Sequence, residues 1–137
     1  MTTQTLEDFT LLPQIIVGTA DHNKLIVLAL ADTGRAAQEA DDLLNEMERA
    51  RVVTDAAVPA NVVRMGSAVR YRAENGPERL VTLVYPVDAD IAAGRVSVLT
   101  PVGTALIGLS TGQSIAWHTR DGRQQVLTVL EVTPPRQ

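Results

Sequence analysis

A chain of 137 residues with 45% apolar and 20% charged side chains suits one globular domain, or one with a small appendage, and is too apolar for intrinsic disorder. It has no cysteine, which excludes disulfides and thiolate metal sites and suits a reducing compartment. The net charge of −4 is unevenly spread: residues 1–60 hold ten acids and four bases (−6), residues 61–137 six acids and eight bases (+2), so the first half makes a poor phosphate-neutralising arm.

The opening MTTQTLEDFTLLPQIIVG lacks the basic start and long apolar run of a signal peptide, and no apolar run approaches the roughly 20 residues that cross a bilayer. The expectation is a cytoplasmic protein without a membrane partner. After Pro13, Ile15-Ile16-Val17 reads as a short extended piece, and Thr19 or Asp21 caps a helix running to about residue 31. Asp32-Thr33-Gly34 breaks the pattern. A second helix is expected over residues 35–52, because Ala36, Ala40, Leu43, Met47 and Ala50 recur at spacings of 4, 3, 4 and 3, a coiled-coil-like heptad stripe. Two helices joined by so short a break predict an antiparallel helical hairpin, with small alanines allowing close approach. The alternative is that both helices pack on a sheet. The acids of the second helix (Glu39, Asp41, Asp42, Glu46 and Glu48) read as a solvated face rather than a magnesium site.

From Val62 onward the apolar period becomes two. Val69-Arg70-Tyr71-Arg72 alternates, Glu74-Asn75-Gly76-Pro77 turns the chain into a run over residues 80–85, and Asp121-Gly122 joins runs over 115–119 and 125–132. With residues 95–99 this predicts five strands and one short helix, an antiparallel sheet curled over that helix. The fold class expected is α+β: a short N-terminal antiparallel helical hairpin within residues 1–55, then the sheet over residues 56–137. Pro134-Pro135 ends the last strand.

Residues 97–115, SVLTPVGTALIGLSTGQSI, carry the densest local signals. A β-branched run stops at Thr100-Pro101, proline suits a first helical turn, and Gly108 supplies the positive φ that closes a helix. Gly108-Leu109-Ser110-Thr111-Gly112 fits the G-x-S-x-G nucleophile elbow, but a strand-like run follows instead of a helix, so Ser110 reads as a turn residue. Gly103 to Ser110 imitates a phosphate loop with Leu109 where the lysine belongs, so that reading fails. His22 and His118 share no ligand spacing with a second metal-binding residue.

The same segment resembles the signature of the C-terminal domain of the bacterial GreA/GreB transcript-cleavage factors and of their relatives, the regulators of nucleoside diphosphate kinase. Asn61-Val62-Val63-Arg64-Met65, Val69-Arg70-Tyr71-Arg72 and Arg79-Leu80-Val81-Thr82-Leu83-Val84-Tyr85-Pro86 are similar to successive pieces of the regulator branch, and the resemblance spans about residues 14–132. It implies an FKBP-like sheet that docks on RNA polymerase through Ser97, Thr100, Pro101, Val102, Gly103, Ala105, Leu106 and Gly108. It also implies a hairpin pointing into or across the mouth of the polymerase secondary channel, competing with longer-armed factors. In the Gre factors the arm's tip carries neighbouring acids that help hold a magnesium ion. Here the tip offers Asp32 alone, offset by Arg35. The resemblance therefore implies a non-enzymatic regulator with no cofactor, no metal and no direct sequence-specific nucleic-acid binding. Two catalytic alternatives stay open: Gre-like cleavage through Asp32, and FKBP-like prolyl isomerisation, whose aromatic pocket would have to come from Tyr71, Tyr85, Trp117 and Phe9. For the corner itself, backbone geometry at Pro101, Gly103 and Gly108 and core packing of Leu106 stand as the alternative to partner contact.

Overall fold

The heptad stripe decides where the first half of the chain goes. In the computed structural model, which describes residues 13–31, 37–74, 76–118 and 121–135, the chain order is β1 (Ile16–Gly18), α1 (Thr19–Ala31), α2 (Ala37–Arg49), β2 (Arg51–Val53), β3 (Ala68–Ala73), β4 (Glu78–Val84), β5 (Arg95–Ser97), α3 (Pro101–Leu106), β6 (Ser114–His118) and β7 (Gln124–Thr133). Ala40, Leu43 and Met47 of α2 are buried, as are Leu25 and Ala29 of α1, and the two helices pack together. α1 is apolar around most of its girth and leaves Val27 and Leu30 exposed. Phe9, Asp32, Arg35 and Ala36 lie outside the described residues.

The expected second helix over 35–52 is too long at its C-terminal end. α2 stops at Arg49, and Arg51–Val53 form β2, paired in parallel with β1 from Ile16↔Arg51 to Gly18↔Val53. Val52 and Val53 lose χ1 freedom in a helix and fit a ladder, and Arg51 N–H donates to the Ile15 carbonyl at 2.9 Å. The partner strand lies far upstream, so no local pattern announces it.

The five expected strands form one sheet, in the order β5-β4-β3-β7-β6. β3/β4, β3/β7 and β6/β7 are antiparallel, but β4 and β5 are parallel, which corrects the expectation of a wholly antiparallel sheet. Residues between these two strands form successive single 3₁₀ turns, Pro86–Asp88 and Ile91–Ala93, that carry the chain back so that Arg95 starts beside Thr82. A bulge between Arg70 and Tyr71 shifts the β3/β7 register, a feature that bends and twists a strand.

One cluster of buried side chains runs through all of this, joining Ile15, Leu25, Leu43 and Met47 to Val63, Leu83, Leu106 and Leu127. Asp21, in the first turn of α1, adds a polar link: it accepts a hydrogen bond from the Met65 N–H at 3.3 Å. Burial holds its carboxyl above the usual carboxylate range, against the Met65 hydrogen bond and the nearby Arg64 charge. A raised pKa means that the folded state binds the proton more tightly, so the ionised carboxylate costs stability at neutral pH, and that cost fades as pH falls toward 3.8. Asp21→Asn, which keeps an acceptor for Met65, is therefore expected to melt higher than the parent at neutral pH. Thermal melts across pH should show the difference shrinking in acid; a difference that grows in acid contradicts this account.

Candidate functional site

Thr100, Pro101 and Val102 form a corner between β5 and α3 that is braced from beneath. The Thr100 hydroxyl donates to the Ser97 carbonyl at 2.7 Å and accepts from the Gly103 N–H at 3.1 Å, capping the helix, while Pro101 occupies its first turn. The Ser97 hydroxyl accepts from the Leu99 N–H at 3.0 Å, and the buried Thr104 hydroxyl donates to the Val98 carbonyl at 2.7 Å. The polar groups of the corner thus bind one another, which fixes its shape.

The eight residues expected to contact a partner divide by burial. Ser97, Gly103, Ala105, Leu106 and Gly108 are buried; these shape the corner from inside. A side chain at Gly103 would run into the Ser97 carbonyl oxygen, so the close passage of β5 over α3 requires glycine. Gly108 has φ +82°, and a Cβ there would lie 2.8 Å from the Ile15 Cβ. Its N–H donates to the Val63 carbonyl and its own carbonyl accepts from the Ile16 N–H, so it ties β1 to the segment before β3. Thr100, Pro101 and Val102 are the members partly open to solvent. Asp32, the expected tip residue, lies outside the described residues.

Beside the corner runs an open, mostly apolar groove of about 610 Å³, walled by Ile91, Val96, Pro101, Val102 and Trp117. Ile91 is 87% exposed at the tip of a 3₁₀ turn, and Val87 on the preceding turn is 89% exposed. Sequence reasoning missed Ile91 and Val96 because they sit on other elements; the one local signal was the apolar content of the loop around Val87 and Ile91. The Trp117 indole N–H is shielded from solvent without an acceptor among the described residues. Tyr71 is buried in the sheet, and the shielded Tyr85 hydroxyl, its pKa pushed up to about 12 by burial and then by the Asp21 charge, is no part of the groove.

Other expected side chains have ordinary surroundings. Ser110 is half-buried in a turn, with its N–H donating to the Gln113 amide oxygen at 2.9 Å. His22 hydrogen-bonds the Met47 carbonyl at 3.1 Å, and His118 is exposed at the end of β6. Among the described residues no cluster of three or more His, Asp or Glu side chains could hold a metal, and no helix is long and apolar enough to cross a membrane.

Residues 58–134 match the family model described as transcription elongation factor, GreA/GreB, C-term. The chain belongs to the GreA/GreB family. It is 36% identical over 121 residues to the regulator of nucleoside diphosphate kinase of Escherichia coli (strain K12), covering 88% of this chain and 89% of that protein. It is 33% identical over 85 residues to transcription elongation factor GreA of Bacillus anthracis, covering 61% of this chain and 54% of GreA. Among solved structures, a prokaryotic transcription elongation factor GreA/GreB from Nitrosomonas europaea matches with a TM-score of 0.69 and 38% identity, over 88% of this chain and 98% of that one. The GreA/GreB match spans β3 to β7 and so contains the corner, the groove and the turns bearing Val87 and Ile91.

Proposed function

We propose that this GreA/GreB-family chain is a cytoplasmic transcription regulator that binds RNA polymerase, occupies its secondary-channel region in competition with longer Gre-type factors, and does not cleave transcripts. The supporting observation is the braced Thr100–Pro101–Val102 corner opening onto an apolar groove, within the segment that matches the family. A preformed apolar surface loses little order on docking, and a few packed anchors dominate such affinity. In this reading residues 56–137 form an FKBP-like docking lobe, and residues 1–55 supply a short helical hairpin. Each of its helices has 13 residues, hence is about 20 Å long.

The test is binding of the full chain to purified RNA polymerase, challenged with excess GreA. Pro101→Arg puts a bulky charge on the apolar wall, and Ile91→Glu puts a charge there from an exposed turn. Both are expected to remain folded and to weaken polymerase binding about tenfold or more. Folded variants that bind as tightly as the parent would remove the corner from the interface. In stalled transcription complexes with magnesium, the parent is expected to release no shortened RNA. Cleavage that disappears in Asp32→Ala would restore the catalytic alternative.

A further inference from the structure

Pro101 and Trp117 are the common wall of two hollows. On one side lies the apolar groove of about 610 Å³; on the other is a cleft of about 220 Å³ lined by Asp42, Asn45 and Glu46 of α2 and by His118. Burial of Ala40, Leu43 and Met47 sets the rotation of α2, and Asp42 and Glu46, four residues apart on its flank, face the short helix α3 across this cleft. Both acids are half-buried. Like charges at this spacing repel modestly unless a cation intervenes.

Of the two acids, only Glu46 has a cationic partner among the described residues. Glu46 pairs with Arg49 at 2.6 Å, and the same guanidinium donates to the Pro13 carbonyl. Asp42 accepts from the neutral Gln38 amide at 3.1 Å and has no ion pair among the described residues. On the groove's own lining the charges are balanced: Arg123 sits 3.3 Å from Asp121. The field beside the groove is therefore negative on the cleft side.

We propose that the partner segment seated in the apolar groove carries an arginine or lysine whose side chain crosses the Pro101–Trp117 ridge into the cleft beside Asp42. This rests on the polymerase-docking reading above and names the chemistry of the segment docked there: apolar, with an adjacent basic residue. The ridge suits such a passage, because an aromatic face attracts a cation and the methylene stem of a long basic side chain packs on apolar surface. Charge complementarity of this kind sets register and rejects segments with an acid at the same place.

The experiment measures affinity for purified RNA polymerase at low and high salt, with each variant's fold checked by circular dichroism. Asp42→Lys is expected to weaken binding about tenfold or more at low salt. Asp42→Asn should weaken it about threefold and flatten its salt dependence. Asp41→Asn, on the exposed side of the same helix, should bind like the parent. If Asp42→Lys binds normally while Ile91→Glu loses binding, the docking reading stands and the basic side chain is excluded. If Ile91→Glu and Pro101→Arg also bind normally, the docking reading fails and takes this inference with it.

Discussion

Gly103→Ala is expected to destabilise the fold by about 3 kcal/mol, the upper end of the range for overpacking, because the new methyl would run into backbone rather than a movable side chain. The added carbon meets the Ser97 carbonyl oxygen and would lie 2.9 Å from the Val98 Cα. Ser97 O already accepts from the Thr100 hydroxyl, so lifting it away also loosens the helix cap. For a domain of this size that corresponds to a fall in Tm of roughly 10 °C, read by a thermal melt. An unchanged melting temperature would mean that β5 can move off α3 without penalty, and the rigidity argued for the corner would be lost with it.

Leu43→Ala is expected to cost a similar amount, about 3 kcal/mol, and to do so for both halves of the chain together. Leu43 is fully buried, and truncation of such a residue removes transfer energy and leaves a cavity. Its cluster includes Ile15, Leu106 and Leu127, which belong to the N-terminal segment, α3 and β7. A shared core unfolds as one unit, so hydrogen exchange should show amides of β1/β2 and of β3/β7 losing protection in parallel. Loss confined to the helices, with β7 protected as in the parent, would show instead that the halves open independently.

Much of the fold was legible because its signals are local. The stripe of Ala40, Leu43 and Met47 announced α2, Thr100-Pro101 and Gly108 bracketed α3, and Asp121-Gly122 turned β6 into β7. Where local signals conflicted with distant partners, the distant partners won. Val52 and Val53 left the helix because β1 offered them a ladder, and β5 aligned parallel to β4 because two 3₁₀ turns carried the chain back. The candidate site divides in the same way. Thr100, Pro101 and Val102 were visible as a corner, whereas Ile91, Val96 and Trp117 became its groove only by assembly.

Residue order alone was enough to place the turns, caps and buried stripes, since each depends on the φ preference, side-chain shape or polarity of a few neighbours. It also carried the family resemblance that the comparison with GreA/GreB proteins established. It could not show that Gly103, Ala105, Leu106 and Gly108 point inward, or that Asp42 on α2 lies across a ridge from a groove walled by β5 and the turns before it. Those facts depend on which surfaces exclude water from one another. That choice is made by contacts between segments tens of residues apart, where no local propensity reaches.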